Sequence, residues 1–153
     1  MNPEHLFAQA NALADSAVGS RQASLRRAVS AAYYGLFHYV VATAVDIALG
    51  PTTKNTHPKL YTAAYRSVSH TQLRGSGTKN IGKDISEFVD ALTNLQKLRE
   101  DADYDPLTRV YRTDVTNALN LAREAIVLLA AAPEDKRRAY LTAILFKRRD
   151  RDN

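Results

Sequence analysis

The sequence predicts an all-α fold, an up-and-down bundle of four to five main helices plus a short C-terminal helix. Apolar residues recur at spacings of three and four along most of the chain, and the prolines fall at the ends of these segments. No window alternates apolar and polar residues with the β-branched enrichment of a strand. Because no repeat or shift of composition divides the 153 residues, we expect one helical domain over residues 1–153.

Two helices are predicted in the first part of the chain. The first covers about residues 3–16 and is followed by a break at Gly19-Ser20. The second covers residues 25–49, contains no proline and is followed by Gly50-Pro51, a strong stop signal. Its apolar face comprises Leu25, Val29, Ala32, Leu36, Val40, Ala44 and Ala48. As the longest apolar pattern in the chain, this helix is expected to be central.

A polar stripe runs beside the apolar face of the second helix. At about 100° per residue, Arg27, Ala31, Tyr34 and His38 project within roughly 60° of one another. The stripe combines a cation, a phenol and an imidazole. The second helix is therefore expected to form the core and also to carry polar chemistry.

The middle of the chain is expected to contain two loops with a third helix between them. Residues 51–56 are polar, and residues 74–80 combine two glycines with short polar side chains, which is typical of a loop. His57-Pro58 begins the helix. Its inward face is predicted to hold Leu60, Ala64, Ser67 and Val68.

The fourth predicted helix carries a charge on its apolar face. The apolar stripe comprises Ile81, Ile85, Phe88, Leu92 and Leu95. The next position in the same pattern is Arg99, which has the same helical angle as Ile81. Because an unpaired buried cation is costly, Arg99 needs a carboxylate, a water-filled crevice or a partner chain, and Asp103 is the nearest candidate.

Two more helices are predicted after Pro106. Thr113-Asp114 is expected to cap a fifth helix, and residues 134–147 are expected to form a short sixth. The predicted inward residues are Val115, Leu119, Ala122, Ile126 and Leu129 in the fifth and Tyr140, Ala143 and Ile144 in the sixth.

Composition favours an anionic partner and a cytoplasmic location. The formal charge is +5, and residues 134–153 hold seven Lys and Arg against four acids. They end in a basic tail, residues 147–153, which either attaches to phosphates or is a solvated helix end. The chain has no cysteine and no basic signal-type segment at its start, and we expect that no apolar run reaches transmembrane length.

Three segments resemble the HEPN family, the helical domains named for higher eukaryotes and prokaryotes nucleotide binding. They are RRAVSAAYYGLFH in the second helix, NTHPKL after the first loop and LREDADYDP at the end of the fourth helix. Their order, spacing and helical placement agree with the family pattern over roughly residues 8–130. The resemblance implies a bundle of four or five helices, usually a homodimer with a polar cleft along the dimer interface.

Many HEPN proteins are metal-independent ribonucleases that carry an Arg followed after four to six residues by a His. Counted from Arg99, that His would fall on Tyr104, Asp105 or Pro106, so it is absent here. The expected general acid or base for attack by a 2′-hydroxyl is therefore missing. The Ala-Asp-Tyr variant resembles the HEPN branch often encoded beside a minimal nucleotidyltransferase, which implies a toxin-antitoxin-like or nucleotide-handling pair.

The candidate ligand-binding residues are Arg27, Tyr34, His38, Arg99, Asp103 and Tyr104. Arg99 with Asp103 is either an anion clamp or a buried salt bridge between the fourth and second helices. His38 is either a proton-transfer group or a hydrogen-bonded core residue. Tyr34 and Tyr104 either stack on a base or contribute to packing.

No cofactor and no metal site are expected. The histidines His5, His38, His57 and His70 show no paired ligand spacing, and no glycine-rich phosphate loop follows a strand. His57 fits either the rim of the cleft or the surface, and the surface is preferred.

Three functions remain open. The preferred hypothesis is a HEPN-type homodimeric binding module whose cleft, lined by Arg27, His38, Arg99 and Asp103, holds a nucleotide or RNA phosphate and whose outer surface meets a nucleotidyltransferase. The first alternative is a metal-independent RNA endonuclease toxin with His38, Arg99 or Tyr104 as catalytic candidates. The second is a purely structural dimerisation domain that presents the basic tail.

Overall fold

Helices and their connections make up the part of the chain that the computed structural model describes, residues 1–16, 20–75 and 82–146. In chain order the helices are α1 (Pro3–Asp15), α2 (Arg21–Leu49), α3 (Thr53–Thr56), α4 (Pro58–Arg66), α5 (His70–Gly75), α6 (Lys83–Tyr104), α7 (Arg112–Ala131) and α8 (Glu134–Leu145). Within these ranges there is no strand, which confirms the predicted all-α class. Residues 17–19, 76–81 and 147–153 lie outside the described residues, and with them the predicted break at Gly19, most of the predicted loop 74–80, Ile81 and the basic tail.

The central element of the fold is α2, which contacts α1, α4, α6, α7 and α8. Its predicted apolar face is buried except at Ala48, which is exposed near the C-terminal end. The helix begins earlier than predicted because the Ser20 side chain accepts a hydrogen bond from the backbone N–H of Ala23. It ends at Gly50, whose φ of +88° is a conformation that glycine adopts without strain.

The first helix approaches α2 closely at Gly35. Phe7 of α1 is fully buried, and a Cβ added to Gly35 would lie 2.9 Å from Cδ1 of the Phe7 ring. The ring therefore lies against the backbone of α2 where any larger residue would displace it. This contact sets the distance between the two helices.

The middle of the chain departs from the sequence-based prediction. Residues 51–56 include the helical turn α3, and α5 extends into the segment predicted as a loop from Arg74 onward. The predicted inward face of α4 is confirmed at Val68, which is buried, and at Ala64, which packs against the core. It is wrong at Leu60, which is 52% exposed, and at Ser67, which lies beyond the helix and is exposed. The helix instead packs through Tyr61 and Tyr65, because aromatic side chains bury more apolar area than leucine at a shallow contact.

The last three helices complete the core. In α6 the predicted residues Ile85, Phe88, Leu92 and Leu95 are fully buried. The fifth predicted helix exists as α7, but its N-cap is Tyr111, whose backbone N–H donates to Asp114 at 2.7 Å. In the predicted inward faces of α7 and α8, Ile126 and Ala143 are only partly buried, while the others are buried.

By length and composition α2 could cross a membrane, and α7 with α8 could do so only as one span bent by 118°. This corrects the expectation that no apolar segment reaches transmembrane length. In α2, however, 67% of the most apolar window is buried inside the fold, as is usual for the central helix of a bundle. The cytoplasmic location and the absence of membrane contact stay predictions.

Candidate functional site

Arg99 is buried on the apolar face of α6, where periodicity predicts it. Its side chain is 11% exposed, and Nε lies 2.8 Å from Oδ2 of Asp103. The N–H at Nε is not directed at that oxygen, so the contact is an ion pair without an aligned hydrogen bond. Nη2 donates to the hydroxyls of Tyr34 at 2.9 Å and Tyr104 at 3.3 Å. The structure thus pairs Arg99 with the predicted carboxylate and with two phenols.

Three tyrosine rings surround the Arg99 guanidinium. Its Cζ atom lies 5.3 Å from the ring centroid of Tyr104, 5.4 Å from that of Tyr34 and 5.7 Å from that of Tyr33. These distances lie within the range of cation–π attraction. Burial lowers the pKa of Arg99, but the neighbouring Tyr34, Asp103 and Tyr104 together raise it above the ordinary value. The group therefore remains charged.

Asp103 connects α6 to α2. Its Oδ1 accepts a hydrogen bond from the hydroxyl of Ser30, while Oδ2 faces Arg99. Together with the bond from Arg99 to Tyr34, this contact ties the C-terminal part of α6 to the polar stripe of α2. A buried salt bridge that joins the two helices is one of the two interpretations open from the sequence. The anion clamp stays a prediction.

A groove of about 430 Å³ runs between α1 and α2. The residues that line it are Met1, Leu6, Gln9, Leu13, Arg27, Ser30, Ala31, Tyr34 and His38. The complete stripe predicted on α2 thus lies along one concave surface. Arg27 is exposed and takes part in none of the ion pairs between described residues. The groove has the size of an ordinary small-molecule site.

The structure separates the predicted cleft residues into two neighbouring hollows. Arg99 and Tyr104 lie outside the groove, in a hollow of about 460 Å³ whose other lining residues are Lys97, Glu100, Asp101 and Asp105. Three carboxylates there oppose the entry of an anion. Tyr34 connects the two hollows, because it lines the groove and accepts a hydrogen bond from Arg99. Within one chain, Arg27 and His38 therefore do not share a hollow with Arg99. The cleft lined by Arg27, His38, Arg99 and Asp103, which is expected between two chains, stays a prediction.

His38 is partly buried at one end of the groove. Its Nδ1 forms a hydrogen bond with the hydroxyl of Tyr65 on α4, and the two rings stack with centroids 5.8 Å apart. Burial lowers the pKa of His38, and the N-terminal amine and His70 lower it further, so the ring is neutral at pH 7. Burial raises the pKa of Tyr65 to about 12. With Nδ1 engaged, Nε2 is the atom through which His38 could exchange a proton.

His70 on α5 is a second histidine next to the Arg99 cluster. Its Nδ1 lies 2.6 Å from the Tyr33 hydroxyl, and its ring centroid lies 4.4 Å from that of Phe37 and 5.9 Å from that of Tyr34. Burial lowers the pKa of His70, and the positive charge of Arg99 lowers it further. No local pattern in the sequence singles out this residue, because α5 is short and borders a glycine-containing segment.

His57 and the remaining carboxylates form no further site among the residues described. His57 is exposed at the start of α4, and its Nδ1 lies 3.0 Å from the Thr56 hydroxyl oxygen. Within the same ranges, no group of three or more His, Asp or Glu side chains is arranged to hold a metal ion.

Comparisons with known proteins identify no relative of this chain. No family model matches it, and neither a curated protein nor a solved structure shows significant similarity to it.

Proposed function

We propose that this chain is a binding module for a nucleotide or for an RNA phosphate, held in the groove between α1 and α2. The observation that carries the proposal is the position of Arg27, an exposed cation without an ion-pair partner among the described residues, in the groove that His38 also lines. A guanidinium suits phosphate oxygens, and the Tyr34 ring offers a surface on which a base can stack.

In this proposal Arg99 and Asp103 support the groove from behind. Asp103 accepts a hydrogen bond from Ser30, and Arg99 donates one to Tyr34, so both groove residues are held by α6. The restraint lowers the entropy that the two side chains lose when a ligand binds. Arg99, Asp103 and Tyr104 remain candidates for direct contact with a ligand in an assembly of two chains.

The HEPN resemblance supports the same proposal and extends it. We propose that the longer helices pack as an up-and-down bundle, that two chains form a homodimer, and that the dimer works in the cytoplasm with a nucleotidyltransferase in a toxin-antitoxin-like system. Light scattering on the purified chain tests the dimer, and co-purification with a nucleotidyltransferase encoded beside it tests the partner.

A binding measurement with one charge removed tests the groove. A fluorescent adenosine nucleotide and a short fluorescein-labelled RNA are titrated with wild-type protein, Arg27→Ala and Arg138→Ala. Arg138 is the matched control, because it lies on α8 with its side chain 59% exposed and paired with Glu134. We expect Arg27→Ala to weaken binding of both ligands about tenfold, the usual effect of losing one charged hydrogen bond, and Arg138→Ala to leave it unchanged.

Equal weakening by the two substitutions would show that binding follows net charge and would contradict the groove. A chain that binds neither ligand but forms a stable dimer would favour the structural alternative.

A second candidate function is cleavage of RNA without a metal ion. It is favoured by the two neutral histidines that flank Tyr34, with ring centroids 6.4 Å away for His38 and 5.9 Å away for His70. His38 lines the groove and could act as general base toward a 2′-hydroxyl bound there. Cleavage of RNA in EDTA should then be lost in His38→Gln and retained in His57→Gln. Activity that survives His38→Gln would exclude this role.

A further inference from the structure

The longest stretch of the chain without an acidic residue is 47–83. It contains six basic residues: Lys54, Lys59, Arg66, Arg74, Lys79 and Lys83. This excess is larger than the net charge of +5 of the whole chain, so the remaining residues are slightly acidic in sum. The positive charge of the protein is therefore concentrated along one segment, apart from the C-terminal tail.

In the structure, four of these basic residues lie in α3, α4 and α5, while Lys83 begins α6 and is paired with Glu87. Lys54, Lys59, Arg66 and Arg74 are all exposed, and none of them is in an ion pair with a described residue. Elsewhere Lys97, Arg99, Arg112, Arg123 and Arg138 have carboxylate partners, whereas Arg27 has none among the described residues. Lys54, Lys59, Arg66 and Arg74 are thus free to bind an external anion.

The outer face of α4 has the geometry of a backbone-binding surface. Lys59, Thr62, Ala63 and Arg66 line a shallow hollow of about 390 Å³ that begins at Pro58. Lys59 and Arg66 are two helical turns apart, about 10 Å along the axis. At this separation the two long side chains can contact separate phosphates of one strand.

The chemistry of this face favours nucleic acid over an apolar partner. Leu60 is the one large apolar side chain exposed on α4, and the other exposed side chains are basic, polar or small. A lipid surface or an amphipathic partner helix needs a broader apolar contact. A nucleic acid needs no apolar contact, because its affinity comes from charge neutralisation and the release of counterions.

The inner face of α4 connects this surface to the groove. Tyr65 projects about 100–120° around α4 from Arg66 and Lys59. It forms a hydrogen bond with His38, which lines the groove. The two surfaces therefore lie next to each other around one short helix. A single nucleotide cannot contact both, but a polynucleotide that passes over α4 can.

We infer that the outer face of α3 and α4 binds the phosphate backbone of RNA, so that the ligand of this protein is a polynucleotide and not a free nucleotide. The claim that the ligand is a polynucleotide rests on the proposed function of the groove. The backbone contact at α4 stands on the charge distribution alone.

The test compares two double variants that each remove two positive charges. In Lys59→Ala/Arg66→Ala the charges are lost from α4, and in Lys97→Ala/Arg138→Ala they are lost from ion-paired positions with side chains 70% and 59% exposed. Binding of a short labelled RNA, a DNA of the same sequence and a fluorescent adenosine nucleotide is measured over a range of salt concentrations. Circular dichroism verifies the helical content, which neither variant should change because all four side chains are exposed.

We expect Lys59→Ala/Arg66→Ala to weaken RNA binding about tenfold or more and to reduce the slope of log K against log salt by about 1.4, the value for two phosphate contacts on a single strand. Nucleotide binding should be unchanged, and the control variant should match wild type. Equal weakening toward DNA would support a contact with phosphate. Weakening toward a mononucleotide, or an RNA affinity and salt slope that stay at wild-type values, would overturn the inference.

The two proposals fail in different ways. If Arg27→Ala has no effect but Lys59→Ala/Arg66→Ala weakens RNA binding, the backbone surface is right and the groove is wrong. If Arg27→Ala weakens nucleotide binding but Lys59→Ala/Arg66→Ala leaves RNA binding unchanged, the groove is right and the backbone surface is wrong.

Discussion

Nη2 of Arg99 on α6 lies 2.9 Å from the hydroxyl oxygen of Tyr34 on α2. Tyr34 also lines the groove between α1 and α2, so this contact connects the buried Arg99 guanidinium to the groove. A substitution at either position should therefore change both the stability of the fold and the shape of the groove.

Asp103→Asn should lower the free energy of unfolding by about 1–3 kcal/mol, because it removes the carboxylate that faces the buried Arg99. Asp101→Asn is the matched control, since it also removes the carboxylate of an i,i+4 pair, but its partner Lys97 is 70% exposed. The control substitution should lower the free energy of unfolding by well under 1 kcal/mol. Urea denaturation followed by circular dichroism measures both values. Equal losses in the two variants would mean that the Arg99 pair is no more important than a surface pair.

Tyr34→Phe should lower the free energy of unfolding more than Tyr104→Phe does. Each substitution removes a phenol hydroxyl that accepts a hydrogen bond from Nη2 of Arg99. The Tyr34 contact is shorter, at 2.9 Å against 3.3 Å, and Tyr104 is 71% exposed, so water can replace its hydroxyl. We expect the free energy of unfolding to fall by about 1 kcal/mol in Tyr34→Phe and to stay nearly unchanged in Tyr104→Phe. The thermal midpoints of the two variants, measured side by side, give the order. A larger loss at Tyr104 would contradict this assignment of Arg99's main partner.

The stability of the fold should decrease as the pH falls below about 6.5, the ordinary pKa of histidine. Burial lowers the pKa of both His38 and His70 in the folded state. The unfolded chain therefore binds more protons between pH 6.5 and the lower folded-state values, so their stabilising effect is complete above pH 6.5 and is lost as the pH falls through this window. Denaturant midpoints between pH 7.5 and pH 5 measure the loss.

His38→Gln/His70→Gln should flatten this pH profile, and His57→Gln, at an exposed position, is the control. A double variant whose midpoint still falls as steeply as that of wild type would place the acid sensitivity in other groups.

Gly35→Ala should destabilise the fold by about 1–3 kcal/mol, even though alanine favours helix formation. The added Cβ would lie 2.9 Å from Cδ1 of Phe7, whose ring is completely buried, so the ring or the helix must shift. In a Phe7→Leu background the same change should cost less, because the ring no longer occupies that space. Guanidinium unfolding of the four proteins gives the coupling energy. Gly35→Ala that stabilises the wild-type chain would show that α1 is not held at this distance.

Several features of the site follow from helical periodicity alone. The position of Arg99 on the apolar face of α6 and the alignment of Arg27, Tyr34 and His38 on one side of α2 depend only on the angle between residues of one helix. The same is true of the i,i+4 contact between Arg99 and Asp103. A helix has one geometry, so the sequence determines these relationships wherever the helix forms.

Relationships between helices were decided by the tertiary structure. His70 lies beside Phe37 and Tyr34 because α5 turns back toward α2, and Leu60 is exposed because α4 rotates Tyr61 and Tyr65 toward α2 instead. The rotation and spacing of packed helices depend on how individual side chains interlock, which periodicity does not encode.

The sequence by itself therefore determined the all-α class, the buried charge of α6 and the polar stripe of α2, because each is a local property of a single helix. Only the tertiary structure decided that Arg27 and His38 share a groove from which Arg99 is separated by the Tyr34 side chain. That separation depends on the contact of Phe7 with Gly35 and on the docking of α6 against α2 through Ser30 and Asp103. Both are contacts between residues far apart in the chain, and their geometry is set by packing.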